Sequence, residues 1–275
     1  DDVERIFPEA YALAREHGDF GTEMHAQLAW GMVECFRGEV CEGRARITHV
    51  ADWARSIDFA WKAPVLGMEA MACFWAGDWE RAGDIADEAN AEPIRGTMAG
   101  IEASVRLLLL AHAGDPGARP YMETLQPLIS IAGKENQIGA WHVGMATLEA
   151  AALLGLRERC AALYDSAVQL QQSETHIVWG LGLTGKHAAI AAAAGGHWDR
   201  AEQHFNAATE QARAICDRLD EAELLRWRAQ ARLWRDGPGD RAEAATLAKA
   251  ARNAYGAIGM KRHVGVAGDL LSASE

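Results

Sequence analysis

The sequence predicts an all-α fold, a right-handed α-solenoid of about six helical hairpins with capping helices at its ends. The first observation is a turn glycine that recurs along the chain, at Gly38, Gly77, Gly114, Gly155, Gly196 and Gly237. Successive members lie 39, 37, 41, 41 and 41 residues apart, and a steady period in this range is typical of stacked repeats. The second observation is that Asp19-Phe20 and Asp58-Phe59 are also 39 residues apart. We therefore expect one continuous repeat domain over residues 1–275.

The third observation is the face pattern of the helix that follows each turn. In Gly196–Arg213, the residues Ala201, Phe205 and Ala208 fall at positions i, i+4 and i+7, which share one face of a helix. A small-large-small face lets a helix pack closely on the helix before it, as in the second helix of a repeat hairpin. The same frame recurs as Ala82, Ala86 and Ala89, as Cys160, Tyr164 and Ala167, and as Gly43, Ile47 and Val50.

The predicted helices follow from these markers, and each is bounded by a turn. We expect a single helix over 3–17, then six hairpins, then a last helix over 260–273. The first helices of the hairpins are predicted over 22–37, 60–76, 97–113, 136–154, 177–195 and 219–236. Their second helices are predicted over 40–56, 79–90, 117–132, 157–171, 198–216 and 240–257.

The third hairpin, the last helix and the first helix differ from the regular repeat. Pro120 and Pro127 interrupt the second helix of the third hairpin, so we expect a kink there. Lys261, Arg262 and His263 make the start of the last helix polar, as expected for a solvated cap on the open end of a solenoid. The first helix has no partner before it, which fits either a fragment of a longer protein or a natural capping helix.

Three stretches carry a resemblance to a known kind of repeat: AGDWERAGDIADEA (76–89), GGHWDRAEQHFNAATEQARAI (195–215) and GDRAEAATLAKAARNAYGAIGM (239–260). They resemble tetratricopeptide-like repeats. More narrowly, they are similar to the C-terminal regions of bacterial LuxR-type and maltose-activator-like ATPase regulators and of class III adenylate cyclases. The resemblance implies the sensor or scaffold part of a signalling or transcription regulator. The sequence carries no recognisable nucleotide-binding, cyclase or helix-turn-helix segment.

Composition argues against several classes of partner. The chain has 39 acidic and 27 basic residues, for a net charge of −12; nucleic acids and anionic membranes both favour a basic surface. The longest apolar runs, such as Val105–Ala113, are too short to span a bilayer, and no signal-peptide pattern begins the sequence. The five cysteines form no C-x-x-C pair, which is typical of buried thiols in a reducing compartment. We expect a cytoplasmic protein without direct nucleic-acid or membrane contact.

The candidate binding surface is the concave groove, which the first helices of such hairpins line. Seven of the ten tryptophans lie in predicted first helices. The candidate groove residues are His25, Met71, Phe74, Trp141, His142, Met145, Glu149, Trp179, Lys186 and Trp227. An aromatic groove with a few polar groups suits an apolar or sugar-like small molecule, or an amphipathic peptide. For any single tryptophan, core packing is the alternative interpretation.

A glycine-rich stretch, WGLGLTGKH at Trp179–His187, offers a different hypothesis. It matches both G-x-G-x-x-G and G-x4-G-K, patterns whose backbone N–H groups can cradle phosphate. His187 stands where a phosphate-binding loop needs Ser or Thr, and no alternating strand–helix pattern surrounds the stretch. We interpret it as a helix whose glycines permit close packing. A nucleotide-binding enzyme with its site at Gly180–Lys186 is the lesser alternative.

The ten histidines do not form a metal-binding or catalytic motif. No H-E-x-x-H motif occurs, and the sequence shows no recognisable pattern of a catalytic nucleophile with its base. We therefore predict a non-catalytic binding or sensor module without metal or cofactor, whose partner is a small-molecule effector, a peptide or another protein. The rival hypothesis is a protein–protein scaffold or self-association domain, in its simplest form a homodimer.

Overall fold

The computed structural model describes residues 2–57, 59–92, 98–134, 137–173 and 175–274, and within them the chain is predominantly helical. The helices are α1 (Asp2–His17), α2 (Phe20–Phe36), α3 (Val40–Ser56), α4 (Lys62–Trp75), α5 (Trp79–Ala91), α6 (Ile101–His112), α7 (Ala118–Thr124), α8 (Ile138–Leu153), α9 (Arg157–Ala161), α10 (Tyr164–Gln172), α11 (Thr184–Ala194), α12 (Trp198–Ala214), α13 (Arg218–Arg235), α14 (Asp240–Ala257) and α15 (Lys261–Ser274). A short antiparallel hairpin, β1 (Ile177–Val178) and β2 (Gly182–Leu183), precedes α11. The all-α class is confirmed.

Two sets of helix contacts order the molecule. Helices that are neighbours in the sequence pack on each other, as in α2 on α3, α4 on α5 and α13 on α14. Alternate helices also touch, so that α2, α4, α6, α8, α11 and α13 form one continuous row, which we call the inner row. Its last member, α13, contacts its first, α2, and the row therefore closes on itself. Helix α11, in the middle of the row, is buried along its whole length.

The outer helices bury the face that the sequence pattern indicates. In α12, the buried side chains include Ala201, Phe205 and Ala208, and they lie at the predicted i, i+4 and i+7 positions. In α5, the corresponding buried side chains include Ala82 and Ala86. Small side chains at these positions allow the outer helix to approach the inner row, which buries a continuous apolar core between the two layers.

Several predicted boundaries are wrong for identifiable reasons. The helix expected over 177–195 begins only at Thr184, because residues before it form the hairpin. The helix expected over 157–171 is broken into α9 and α10. The predicted interruption in the third hairpin is confirmed, since α7 ends before a short 3-10 helix that contains Pro127. The helix starts expected at residues 97 and 136 fall outside the described residues.

The C-terminal end departs most from expectation. The side chain of His263, predicted to solvate an open end, is buried against Phe74 of α4, with ring centroids 4.8 Å apart. A Cβ at Gly38 would lie 2.6 Å from Ile258, so the turn between α2 and α3 also meets the C-terminal helices. Because the inner row closes, α15 covers the interior instead of facing solvent on both sides. The expectation of buried thiols fails at Cys41 and Cys216, which are exposed.

None of the described helices combines the length and the apolar character needed to cross a bilayer.

The closest approach between two helices gives a test of this packing. On α3, a Cβ added to Gly43 would lie 2.4 Å from the Gly31 carbonyl oxygen of α2 and 2.5 Å from the Cys35 sulfur. Gly43→Ala is therefore expected to lower the free energy of unfolding by about 1–3 kcal/mol, the usual cost of overpacking. Chemical denaturation measures it.

The matched control is Gly265→Ala on α15. A Cβ there meets no atom within 4 Å, so the change is expected to add up to about 1 kcal/mol through helix propensity. Equal effects at both positions would contradict the close approach of α2 and α3.

Candidate functional site

The main candidate site is a cavity of about 220 Å³ enclosed by the inner row and the hairpin, which we call the apolar cavity. Its lining residues are Met24, His25, Leu28, Phe59, Trp61, Pro64, Val65, Met68, Met98, Ile101, Ile138, His142 and Trp179. Eleven of these thirteen side chains are hydrophobic and the other two are histidines, so none carries a permanent charge. An enclosed apolar space with few polar groups is the usual form of a small-molecule site.

Helical spacing explains how distant parts of the sequence meet here. Met24 and Leu28 lie four residues apart and share one face of α2. Ile138 and His142 have the same spacing on α8. The hairpin adds Trp179, which lies between β1 and β2 and also lines the cavity. The site therefore joins segments that are more than a hundred residues apart in the chain.

His142 is the one lining residue that is both polar and buried. It is 2% exposed and makes no hydrogen bond with any described residue. Burial, with a smaller contribution from the nearby His187, lowers its pKa to about 3, so the imidazole is neutral at physiological pH. A neutral imidazole offers one donor and one acceptor, and buried polar groups are normally satisfied. His142 therefore provides an unused hydrogen-bonding group in an apolar wall.

The mouth of the cavity exposes large apolar side chains. Trp61 is 49% exposed, Ile138 is 52% exposed and Trp179 is 42% exposed. The ring of His25 packs edge-on against Trp61 at a centroid distance of 5.1 Å, and its Nδ1–H donates to the Gly21 carbonyl at 2.8 Å. That hydrogen bond leaves Nε2 of His25 as an acceptor at the rim. Covering these side chains removes apolar surface from water, which favours an apolar occupant.

A second feature, the polar cluster, is defined by five buried ionic side chains: Glu149, Lys186, Asp220, Glu223 and Arg226. The Lys186 ammonium lies 2.7 Å from Asp220 Oδ1, and the Arg226 guanidinium lies 2.5 Å from Glu223 and 3.3 Å from Glu149. Burial alone would raise the pKa of Glu149, but its hydrogen bond with His112 and the charges of Lys186 and Arg226 lower it to about 2. Both cations of the cluster are therefore paired with carboxylates, while burial raises the pKa of Asp220.

The space beside the polar cluster is small. A cavity of about 20 Å³ is bordered by side chains that include His112, Glu149, Lys186, Glu223 and His263. This is close to the volume that one water molecule needs. Among the described residues, the Nδ1 atoms of His112 and His263 find no hydrogen-bond partner, so a buried water fits there better than an organic ligand. In the described part of the chain, no group of three or more His, Cys, Asp or Glu residues is arranged to hold a metal ion.

The glycine-rich stretch forms the hairpin and the start of α11. Gly182 has a φ of 85°, and a Cβ there would lie 2.3 Å from Asp220 Oδ2, so only glycine fits beside this carboxylate. The Leu183 N–H donates to Asp220 Oδ2 at 2.5 Å, and Lys186 donates to the Leu181 carbonyl at 2.7 Å. In a phosphate-binding loop, a backbone N–H and a lysine ammonium point at the nucleotide. Here the Leu183 N–H and the Lys186 ammonium both donate to Asp220.

The ten candidate groove residues fall into three groups. His25, His142 and Trp179 line the apolar cavity. The cavity of about 20 Å³ beside the polar cluster is lined by Met71, Phe74, Glu149 and Lys186. Trp141, Met145 and Trp227 line neither. Met145 and Trp227 are buried in the core, where Trp227 packs under the Arg226 guanidinium at 4.1 Å, and Trp141 is half-buried against the core.

Sequence reasoning missed residues of both features. Trp61 and Met68 of the apolar cavity lie on the same first helices as predicted site residues, so the helical pattern could have included them. Asp220, Glu223 and Arg226 are spaced by three residues on α13, a pattern that marks one helix face. Their convergence on Lys186 depends on the closed inner row, for which the sequence gives no local signal.

Comparison with known proteins adds no assignment. The chain matches no protein-family model, and no curated protein is significantly similar to it in sequence.

Proposed function

We propose that this chain is a non-catalytic binding module that takes an apolar small molecule in the apolar cavity. The observation that carries the proposal is His142, a buried imidazole without a hydrogen bond to a described residue, in the wall of a cavity of about 220 Å³ whose described lining is otherwise almost entirely apolar. A bound molecule would satisfy this group and cover the exposed Trp61 and Trp179 at the mouth. Both effects lower the free energy of the bound state.

Size and enclosure favour a small molecule over a peptide. An apolar cavity of about 150 Å³ is large enough to take benzene, and this cavity is larger. The inner row closes around the interior, because α13 contacts α2. A closed ring of helices offers less room to an extended or helical peptide than an open groove does.

We infer that the helices form a right-handed solenoid of about six tetratricopeptide-like hairpins. The support is the contact between alternate helices of the inner row together with the regular turns. A ligand in the apolar cavity would touch α2, α4, α6, α8 and the hairpin at once. Because it binds best when these elements are correctly spaced, it would bias the curvature of the array. That is the behaviour of a cytoplasmic sensor attached to an output domain, as the resemblance to bacterial regulators implies.

The test uses a panel of small aromatic and aliphatic compounds and measures thermal unfolding and calorimetric binding. We expect at least one class to raise the melting temperature in a concentration-dependent way. Trp179→Ala is expected to weaken that binding about tenfold, since the ring forms part of the wall and rim. The matched control is Ile215→Ala, an exposed apolar side chain away from the cavity, which should leave binding unchanged. Absence of binding across the panel would overturn the proposal.

A second candidate is self-association, and one observation favours it. The same exposed side chains at the mouth, Trp61, Ile138 and Trp179, would also be covered by a second copy of the chain. Light scattering after size exclusion separates the two hypotheses. A dimer that Trp179→Ala dissociates would favour the scaffold, whereas a monomer that binds a small molecule favours the sensor.

A further inference from the structure

From the lining of the apolar cavity, we infer that its ligand is an uncharged aromatic compound of one or two rings, with a single hydrogen-bonding group that meets His142. The inference rests on the proposed function and specifies the ligand class of the same site. Three observations on the described lining carry it: the thirteen side chains have no permanent charge, His142 has no hydrogen bond to a described residue, and aromatic and thioether side chains border the space.

The lining restricts the charge of the ligand. No Asp, Glu, Lys or Arg is among the described residues that line the cavity. A carboxylate, phosphate or ammonium placed there would lose its hydration without gaining a counter-ion, which is strongly unfavourable. The neutral His142 does not compensate, because it supplies only one polar contact. The described part of the lining therefore favours uncharged compounds.

The lining also restricts the shape of the ligand. Phe59, Trp61 and Trp179 present rings, and Met24 and Met68 present thioethers. Rings pack well against rings in edge-on or offset arrangements, and methionine sulfur favours contact with an aromatic edge. A planar aromatic compound can make both kinds of contact. Since a cavity of about 150 Å³ takes a single benzene ring, the space of about 220 Å³ accommodates a second ring.

His142 fixes the orientation of the ligand. It lies on α8, four residues after Ile138 at the mouth, so its ring stands one helical turn further along the wall. Both of its nitrogens are free of hydrogen bonds to described residues, so the tautomer can adjust to a donor or an acceptor. A phenolic hydroxyl can satisfy either tautomer, whereas a purely hydrocarbon ligand leaves the imidazole unsatisfied.

The experiment compares three probes of the same two-ring skeleton: 2-naphthol, naphthalene and 2-naphthoate. Calorimetry or ligand-observed NMR measures each dissociation constant at pH 7. We expect 2-naphthol to bind about two- to tenfold more tightly than naphthalene, the effect of one additional hydrogen bond. Naphthoate should bind at least tenfold more weakly than naphthol. His142→Leu should remove the difference between naphthol and naphthalene, and His142→Gln should restore part of it.

The outcomes separate the two proposals. If none of the three probes binds, both the ligand class and the proposed function lose their support. If naphthalene binds as tightly as naphthol, or naphthoate binds best, the cavity is a binding site but the inference about its ligand is wrong. The comparison of the three probes on the unmodified chain needs no variant, so a misfolded His142→Leu protein does not prevent the test.

Discussion

Replacing Lys186 by methionine is expected to lower the free energy of unfolding by about 3–5 kcal/mol, the usual loss when one partner of a buried ion pair is removed. The Lys186 ammonium is buried and donates to Asp220 and to the Leu181 carbonyl, both at 2.7 Å. Burial would lower its pKa, but Asp220, Glu149 and Glu223 raise the pKa above its usual value. Without the ammonium, Arg226 is the one permanent cation among the described residues that pairs with Glu149 and Glu223, and the cluster carries excess negative charge.

Denaturant unfolding monitored by circular dichroism measures the effect, and two variants calibrate it. Lys249→Met removes an exposed lysine from α14 and should change stability by less than about 0.5 kcal/mol. The double variant Lys186→Met/Asp220→Asn removes both charges of the pair and should be more stable than Lys186→Met alone. A single variant as stable as the unmodified chain would show that the buried pair does not form.

The same pair connects the polar cluster to the apolar cavity. Leu183 of the hairpin donates to Asp220, and the Leu181 carbonyl accepts from Lys186, so both anchors lie next to the turn that carries Trp179. Lys186→Met is therefore also expected to weaken the binding of aromatic ligands in the apolar cavity, although Lys186 does not line that cavity. Calorimetry measures the dissociation constant of 2-naphthol for the variant and for the unmodified chain, at a temperature where both are folded, and so tests this coupling.

The regular part of the fold could be predicted because its signals are local. The buried face of α12 is set by Ala201, Phe205 and Ala208, and their spacing in the sequence is sufficient to predict it. The turn before it requires a residue that tolerates a positive φ, and Gly196 has a φ of 75°. The same turn conformation recurs at Gly38, Gly77, Gly114 and Gly155, whereas the helix after Gly155 is broken into α9 and α10 although it carries the same pattern.

The candidate site could be predicted only in part, because it depends on how the inner row closes. His142 and Trp179 were found from their place on first helices, and both line the apolar cavity. Met145 lies one turn from His142 on α8, but it is fully buried in the core. Trp227 of α13 is likewise covered by the core once the row closes. Helical spacing predicts which residues point inward, whereas the remaining free space depends on contacts between distant helices.

The glycine-rich stretch was misassigned because two local signals conflict. Its phase in the repeat favours a helix, yet Gly180 and Gly182 take φ values of 81° and 85° that a helix does not allow. The hairpin is stabilised by Asp220, which lies 37 residues after Leu183 in the chain. No local pattern reports a carboxylate that arrives from a later helix, so the choice between helix and hairpin needs tertiary information.

Acidification below pH 6.5 is expected to destabilise the protein steeply, through histidines that are buried in neutral form. Burial lowers the pKa values of His142, His187 and His263 from 6.5 to about 3, 4 and 3. Below pH 6.5 the unfolded chain binds protons at these three residues and the folded chain does not. Each histidine then removes about 1.4 kcal/mol of stability per pH unit, and the loss continues until the pH reaches the folded pKa.

Other buried groups modify this slope with known sign. Burial, with the nearby Asp220, raises the pKa of Asp217, so this carboxyl holds a proton in the folded state and opposes the histidines by at most one proton. Glu149 and Glu223 have lowered pKa values because Lys186 and Arg226 outweigh the effect of burial, so they add to the loss below about pH 4.5. Asp217 offsets one of the protons that the three histidines bind, so the net expectation is about one to two protons taken up on unfolding between pH 6 and 5, or about 1.4–2.8 kcal/mol per pH unit.

Denaturant unfolding at pH 7, 6 and 5 measures how the free energy of unfolding changes with pH. Variants show which histidines cause the change. His263→Phe should reduce the uptake by one proton, since phenylalanine can occupy the aromatic surroundings of Phe74 and Trp79. His17→Gln changes an exposed residue of α1 and should leave the slope as it is in the unmodified chain. Equal stability at pH 7 and pH 5, together with a slope that His263→Phe leaves unchanged, would mean that the imidazoles reach water in the folded state, and the buried, neutral His142 on which the ligand site depends would lose its support.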